Sequence, residues 1–236
     1  MHPTVAFVKV PGEIKPKKYI IVHLSDIKEH GASMVHYITT DCIKYLKEKL
    51  KIKLSTIYLW SDGCAAQYKG KNSFFFLSKL FDEKVERNFF ASEHGKSESD
   101  AATSEVSRCL KNAIKSGRAF INNAESAKEF LTGEFSNNEK YQYVFKEIKQ
   151  THLEPIKSEL KDLEIASLTG TVTRSLHQIK PDSDNGYFLQ RRFSCFCHSC
   201  KKGNVKICEN KQYTEGEFSR HYLKKRKICR HKNVTD

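Results

Sequence analysis

The chain has 236 residues, of which 39% are hydrophobic, 29% are charged and 5 are proline, so it is neither collagen-like nor wholly disordered. The sequence contains no apolar run of about 18 residues and no recognisable leader, and we therefore expect a soluble protein without a membrane segment. Lysine and arginine number 41 against 28 acidic residues, and this surplus of 13 positive charges favours polyanionic partners such as nucleic acid.

The first 117 residues alternate between strand-like and helix-like patterns. The segments rich in β-branched and aromatic residues, which predict strands, are Thr4–Val10, Lys18–Leu24, Thr56–Trp60 and Val85–Ser92. The segments with helical spacing or a long apolar run, which predict helices, are 33–50, 72–81 and the stretch around Ala102–Ala113 that stops at Gly117. The order ββαβαβα predicts an α/β sheet with helices packed against it.

The second half of the chain is more polar. Residues 118–165 predict mostly helix, notably 139–163, which Pro155 should interrupt. Residues 170–180 and 186–195 then predict two strands around a turn rich in Asp, Ser, Asn and Gly.

Asp62 is the first candidate site residue, because open α/β sheets place their sites at the carboxyl ends of strands. It follows the predicted strand 56–60 and precedes the basic residues Lys69 and Lys71, which are candidates for contacts to nucleic acid. The alternative is that Asp62 belongs to an ordinary Asp-Gly turn.

A second candidate segment lies between a strand end and a helix start. It gathers His94, Lys96, Glu98 and Asp100, a mixture suited to binding a phosphate or a divalent cation. The alternative is that Asp100 only caps its helix and complements the helix dipole.

Five of the eight cysteines crowd the C-terminal region. The spacing Cys195-x-Cys197-x2-Cys200-x7-Cys208 places four thiolates within 14 residues, which favours tetrahedral zinc over disulfides in a reduced compartment. Candidates to replace one of the four ligands are His198, His221, Cys229 and His231. An ordinary cluster of reduced cysteines is the alternative.

The same region carries the excess charge. Residues 191–236 hold 13 basic and 4 acidic residues, a net charge of +9, which leaves +4 for the rest of the chain. The block Lys224, Lys225, Arg226 and Lys227 is typical of nuclear localisation or DNA contact, or of a solvated charged terminus. Aromatic residues interleave with basic ones from Tyr187 to Lys202, which suits a phosphate backbone and stacked bases, although aromatics on a strand are also core residues.

Two of these motifs together resemble a known family. SDGCAAQYK at Ser61–Lys69 and FFASEHGKSESD at Phe89–Asp100 resemble the core motifs of a ribonuclease H-fold transposase-like family of the DDE/DDD type, widespread in arthropod and cnidarian genomes. The family's upstream pattern is echoed by Leu24-Ser25-Asp26 and His30, and its cysteine-rich end by Ser194–Cys200. The resemblance covers most of the chain.

The resemblance implies a site in which carboxylates hold two Mg²⁺ or Mn²⁺ ions at a DNA phosphodiester. Asp62 would be the second carboxylate and Asp100 the third, so the two should converge, with His94 and Lys96 near the scissile phosphate. The family's first Asp lies on a strand upstream of the opening hairpin, whereas Met1 stands at about the second strand and the first acidic residue is Glu13. Asp26 is the alternative first carboxylate, and Ala101 and Ala102 stand where relatives tend to have glycines.

We therefore expect a ribonuclease H-like mixed sheet flanked by helices, lacking its first strand, in residues 1–117. A helical segment (118–165) and a cysteine-rich, zinc-binding basic tail with a β-hairpin (166–236) follow. The favoured function is that of a truncated, transposon-derived nuclear protein that binds DNA but no longer cuts it; an oligomer is left open. The alternatives are an active metal-dependent transposase or nuclease and a non-catalytic zinc module that binds proteins.

Overall fold

The computed structural model of the chain describes residues 1–51, 53–80, 84–91, 98–138, 141–161, 163–165, 175–182, 187–214, 218–222 and 225–227. The chain divides into two units that interleave along the sequence: unit one comprises 1–29 and 96–153, and unit two comprises 30–95 and 154–236. Both have mixed sheets flanked by helices, which confirms the predicted mixed α/β class. Among the described helices, none combines the length and apolarity that a membrane span requires.

The strands in chain order are β1 His2–Val8, β2 Lys17–Leu24, β3 Thr56–Ser61, β4 Lys84–Phe89, β5 Gln142–Glu147, β6 Leu163–Ile165, β7 Gln178–Pro181, β8 Tyr187–Arg191, β9 Ser219–Tyr222 and β10 Lys225–Lys227. The helices are α1 Ala32–Leu50, α2 Lys71–Leu77, α3 Glu98–Lys115, α4 Ala124–Glu134, α5 Gln150–Lys161, α6 His198–Lys201 and α7 Lys211–Thr214. The predicted order ββαβαβα is confirmed from β1 to α3.

Unit one is a three-stranded sheet in the order β1-β2-β5, with β2 antiparallel to β1 and parallel to β5. The central strand β2 is buried without a break from Tyr19 to Leu24, as expected of a strand covered on both faces. Ile20, Val22 and Leu24 pack with residues of α3 and α4, including Val106 and Leu131, both 0% exposed. Helix α3 stops where predicted, because Gly117 adopts φ +72°, a conformation that a side chain would strain.

Unit two contains a five-stranded mixed sheet in the order β3-β4-β7-β8-β9. The strands β3 and β4 are parallel, and the remaining pairs are antiparallel, so the predicted hairpin around residues 181–186 is confirmed in β7 and β8. Strands β6 and β10 form a separate antiparallel pair. The core surrounds α2, in which the consecutive residues 73–77 are all buried, as in a helix covered on every side.

The spacing of Val35, Ile38, Cys42 and Leu46 predicts the buried face of helix α1, and the last three of these residues are buried. Val35 is only half-buried, and Met34 is buried instead, so the buried residues recur at every fourth position of one helical face. The helix ends at Lys51, which adopts the left-handed conformation (φ +51°) and donates its backbone N–H to the carbonyl of Lys47.

The prediction of helix over residues 139–163 is wrong in its first part. Residues 142–147 form β5, because Tyr143, Val144 and Phe145 favour extended backbone and pair with the edge of β2. The Tyr143 and Phe145 rings stack on one face of this strand, 5.8 Å apart. Helix α5 then continues through Pro155 instead of being interrupted there. Burial of Leu153 before the proline and packing of Ile156 after it offset the missing hydrogen bond.

Candidate metal centre

The four predicted cysteine ligands come from a short stretch that folds around them. Cys195 and Cys197 follow β8, and Cys197 is the N-cap of the single-turn helix α6, which contains Cys200. The chain reverses at Gly203, whose φ of +83° is readily adopted only by glycine. A 3₁₀ turn at Val205–Ile207 then brings Cys208 back to the other three.

The four sulfur atoms lie within 4.8 Å of one another. The Sγ atoms of Cys195 and Cys208 are 3.6 Å apart, and those of Cys197 and Cys208 are 4.0 Å apart. Four thiolates bound to one ion at about 2.3 Å in a tetrahedron have sulfur separations of about 3.8 Å. A disulfide has a length of only about 2.05 Å. The four cysteines are therefore free thiols with the spacing of a tetrahedral metal site.

Two polar side chains donate hydrogen bonds to the sulfurs. The Nη1 atom of Arg191 lies 3.3 Å from the Sγ of Cys200, and the Nδ2 atom of Asn210 lies 3.5 Å from the Sγ of Cys195. Arg191 is only 3% exposed. A divalent ion with four thiolates carries a net charge of −2, so a buried guanidinium beside it offsets part of that charge.

The thiols differ in their readiness to ionise. Burial raises the pKa of Cys200 to about 12. Burial also acts against ionisation of Cys208, but the backbone N–H of Asn210 and neighbouring donors prevail and lower its pKa to about 6. Close thiols compete for ionisation, because the first thiolate that forms disfavours the next. A cation in the centre removes that repulsion and favours all four thiolates.

The other candidate ligands are not part of this cluster in the described chain. His198 is exposed, and Nε2 of His221 lies 2.8 Å from the Oγ of Ser219. Cys229 and His231 lie outside the described residues. The four described cysteines that come together are therefore the four expected from their spacing, Cys195, Cys197, Cys200 and Cys208.

Asp62 lies directly after β3, in unit two, and is exposed. Its Oδ1 atom accepts a hydrogen bond from the backbone N–H of Cys64 at 3.0 Å, which is the geometry of an Asx turn. Asp62 therefore belongs to a turn, which was the alternative interpretation of this residue. Its exposed carboxylate retains acceptor positions for other partners.

Asp100 lies in the first turn of α3, in unit one, and is exposed. His94 and Lys96, the other two predicted catalytic residues, lie outside the described residues. The convergence of Asp62 and Asp100 on a shared Mg²⁺ or Mn²⁺ ion stays a prediction.

The lysines and arginine proposed for nucleic-acid contact have different surroundings. Lys71 is exposed at the start of α2, whereas Lys69 is only 6% exposed, with its Nζ atom 4.6 Å from the ring centre of Phe89. Burial lowers the pKa of Lys69. Lys225, Arg226 and Lys227 form β10, and Lys224 lies outside the described residues.

Sequence reasoning missed two features of unit two. It grouped Arg191 with the surface cations, but Arg191 is buried against Cys200. It also did not predict that Trp60 of β3 contacts Phe196, which lies between Cys195 and Cys197. The two rings are 5.5 Å apart. The basic and aromatic composition of residues 187–202 was a signal for both, but it did not show that Arg191 contacts Cys200 within that stretch or that Phe196 contacts Trp60 of β3.

Comparison with known proteins places most of the chain in one family. Residues 1–194 match the family model described as Domain of unknown function (DUF8701), so the match stops one residue before Cys195. Searches of curated proteins and of solved structures found no match. Because the family model spans well over half of the 236 residues, the chain belongs to the family described as Domain of unknown function (DUF8701).

Proposed function

We propose that this chain is a DNA-binding nuclear protein derived from a ribonuclease H-fold transposase, with a zinc ion bound by Cys195, Cys197, Cys200 and Cys208. In this proposal the chain binds DNA without cutting it. The observation that carries the proposal is the four-cysteine cluster, within 4.8 Å, in the most basic part of the chain.

Zinc is the ion that best suits this donor set. Four soft thiolates at tetrahedral spacing favour zinc or an iron centre over the hard cations Mg²⁺ and Ca²⁺. The segment around the cysteines has only short elements, α6, one 3₁₀ turn and α7. Segments of this kind are commonly stabilised by a structural metal, whose binding free energy then contributes to folding.

Charge supports DNA as the partner. Residues 191–236 carry a net charge of +9, against +4 for the first 190 residues. The exposed cations around the cysteine cluster are Arg192, Lys201, Lys202, Lys206 and Lys211. Cations concentrated in one segment favour a phosphate backbone, because each contact releases condensed counterions from the DNA.

The order of elements supports descent from a ribonuclease H-like domain. Strands β3 and β4 are parallel, and the two resembling motifs begin at their carboxyl ends, where α/β folds place their sites. Asp62 and Asp100 match two of the three carboxylates that the resemblance implies. Mg²⁺ or Mn²⁺ would be the ion bound by that set.

Salt-dependent binding to duplex DNA tests the DNA-binding part of the proposal. Fluorescence anisotropy with a labelled duplex should give a dissociation constant that rises steeply with salt, with a logarithmic slope of several units. Replacing Lys225, Arg226 and Lys227 with Gln should weaken binding and reduce the slope. A matched variant with Lys44, Lys49 and Lys53 replaced by Gln removes the same charge from exposed positions elsewhere and should change binding less.

Duplex binding that is absent, or that does not change with salt, would favour the non-catalytic zinc module that binds proteins. Elemental analysis that finds no zinc in the purified protein would remove the metal from the proposal.

A plasmid-nicking assay with Mn²⁺ tests the absence of cleavage. The matched variant is Asp62→Asn, because an asparagine Oδ1 can accept the same hydrogen bond from Cys64 and preserve the turn. We expect no nicking by either protein. Nicking by the native chain that is lost in Asp62→Asn would instead assign an active metal-dependent nuclease.

A further inference from the structure

Strand β3 presents two large aromatic side chains to solvent. Tyr58 and Trp60 are two residues apart and therefore lie on the same face of the sheet. They are 41% and 46% exposed. Among the described strands β3 is at the edge of its sheet, so one side of this pair is not flanked by a neighbouring strand.

Two phenylalanines hold these rings in place. Phe90, directly after β4, stacks with Trp60 at a ring separation of 5.1 Å and an interplanar angle of 30°. Phe196 contacts Trp60 at 5.5 Å and packs edge-on against Tyr58 at 5.2 Å. We call the four rings of Tyr58, Trp60, Phe90 and Phe196 the aromatic face. Its members are fixed by mutual contacts, so little side-chain entropy remains to be lost on binding.

A metal bound by the four cysteines would position part of the aromatic face. Phe196 lies between Cys195 and Cys197, two of the four residues whose sulfurs cluster. A metal bound there would fix the backbone on both sides of Phe196 and hence the placement of its ring against Tyr58 and Trp60. The aromatic face and the cysteine cluster are therefore coupled through one residue.

The segment that supplies Phe196 is strongly basic. Between residues 192 and 211 it carries five exposed cations, Arg192, Lys201, Lys202, Lys206 and Lys211, against the single acid Glu209. One carboxylate, Glu86, acts electrostatically on Tyr58. Burial, the largest effect, raises the pKa of the Glu86 carboxyl, whereas a hydrogen bond that Gln178 donates to it acts in the opposite direction.

Exposed rings packed against a residue of a basic segment suit a particular form of nucleic acid. Bases of a duplex are stacked on each other and cannot stack on a protein ring without being unpaired, whereas a single strand offers its bases freely. A ring that stacks on one base contributes about 1–3 kcal/mol, and neighbouring lysines and arginines bind the phosphates. An apolar ligand alone would not explain the concentration of cations in the segment that supplies Phe196.

We propose that the aromatic face binds single-stranded DNA, with bases stacked on Tyr58 and Trp60 and phosphates bound by the exposed cations of residues 192–211. This inference rests on the proposed function for the class of ligand, DNA, and adds its strandedness and its contact residues. The aromatic contacts do not depend on whether the chain cuts DNA.

Trp60 provides a direct test, because it is the only tryptophan in the chain. Titration of the zinc-loaded chain of residues 1–236 with oligo(dT) should quench the Trp60 emission, since a stacked base quenches an indole. An oligo(dA)·oligo(dT) duplex of the same length should leave the emission unchanged. The dissociation constants for both are measured in parallel by anisotropy of labelled strands.

Variants distinguish stacking from general charge attraction. Tyr58→Leu should weaken oligo(dT) binding by about 5- to 150-fold, the range expected for the loss of one stacked base. Phe196→Leu removes the ring that holds Tyr58 and Trp60 in place and should also weaken binding. Tyr58→Phe keeps the ring and should retain the affinity. Phe120→Leu removes an aromatic side chain that is 87% exposed in unit one, and this control should bind as the native chain does. Zinc content and circular dichroism verify that each variant is folded.

The outcomes separate this inference from the proposed function. Duplex binding with equal or weaker affinity for oligo(dT), and no quenching, would overturn the inference and leave the DNA-binding function intact. Binding to neither form would overturn both. A Trp60 emission that shifts to the blue as protein concentration rises, without DNA and together with dimer formation in sedimentation, would assign the aromatic face to a second copy of the chain.

Discussion

The carboxylate of Asp26 accepts hydrogen bonds from the backbone N–H of Ala124, which lies 98 residues further along the chain. The two oxygens are 3.0 and 3.1 Å from this nitrogen, the first amide of α4. Asn123 caps the amide of Ser126 at the same helix end, so two side chains together satisfy amides that the helix leaves free. Asp26, the alternative first carboxylate, thus has a structural role in unit one.

The first prediction concerns this contact. Asp26→Ala should lower the free energy of unfolding by about 1 kcal/mol, because the Ala124 N–H loses its acceptor and the helix dipole loses a nearby anion. Asp26→Asn should lose less, since one oxygen remains. Urea denaturation measures both, and Glu129→Ala, on the exposed side of α4, is the control. Equal stability of native protein and Asp26→Ala would contradict the capping role.

The second prediction concerns the metal content. The native chain should contain one zinc ion per molecule, and Cys208→Ser should lose it, because a serine hydroxyl is a poor replacement for a thiolate. Cys109→Ser is the matched control, since Cys109 belongs to α3 and lies outside the four-sulfur cluster. Elemental analysis after dialysis gives the stoichiometry. Zinc retained in full by Cys208→Ser would exclude Cys208 as a ligand.

The third prediction concerns Arg191, which donates to the Cys200 sulfur. Arg191→Met should weaken zinc binding by about 10- to 100-fold, the range typical for loss of a residue that supports a metal ligand. Arg192→Met removes the same charge from the exposed neighbouring position and should have little effect. Competition with a zinc chelator measures the affinity.

A second substitution at this buried position distinguishes loss of the guanidinium from loss of the folded structure. Arg191→Lys keeps a positive charge beside the thiolates but loses the guanidinium geometry, and its zinc affinity should lie between those of the native chain and Arg191→Met. If both Arg191 variants are folded and bind zinc as tightly as the native chain, the charge-compensating role is wrong.

The fourth prediction concerns His36 of α1, whose ring stacks on Phe76 at 4.4 Å. Burial lowers the pKa of His36 from 6.5 to about 4; Glu159 opposes this effect, while Arg87 and Lys79 add to it. The unfolded chain therefore binds this proton at a higher pH than the folded chain does. The stabilising contribution is complete above pH 6.5 and is lost as the pH falls towards 4.

His36→Phe keeps the stacked ring and removes this titration. The free energy of unfolding of the native chain should fall by roughly 1–2 kcal/mol more than that of His36→Phe between pH 7 and pH 4, a value reduced for the partial exposure of the ring. Comparing the two proteins at each pH cancels acid effects on the cysteine cluster. Parallel pH profiles of native and variant would contradict the role assigned to His36.

The order of elements from β1 to α3 was predictable because its signals are local. Ile38, Cys42 and Leu46 recur at about one helical turn, and β-branched and aromatic runs separate the helices. The four-cysteine cluster was predictable for the same reason, since its members fall within 14 residues and their spacing restricts how the thiols can meet.

Tertiary contacts decided several features that the local patterns did not settle. Residues 142–147 form a strand because their β-branched and aromatic side chains favour extended backbone and because they pair with β2, more than a hundred residues away. Arg191 is buried against the sulfur of Cys200, nine residues along the chain, and Lys69 is buried against Phe89, although both resemble surface cations in the sequence. The sequence by itself determined which residues could bind a metal, whereas only the tertiary structure brought Phe196 against Trp60, because ring contacts across a sheet depend on strand order and register.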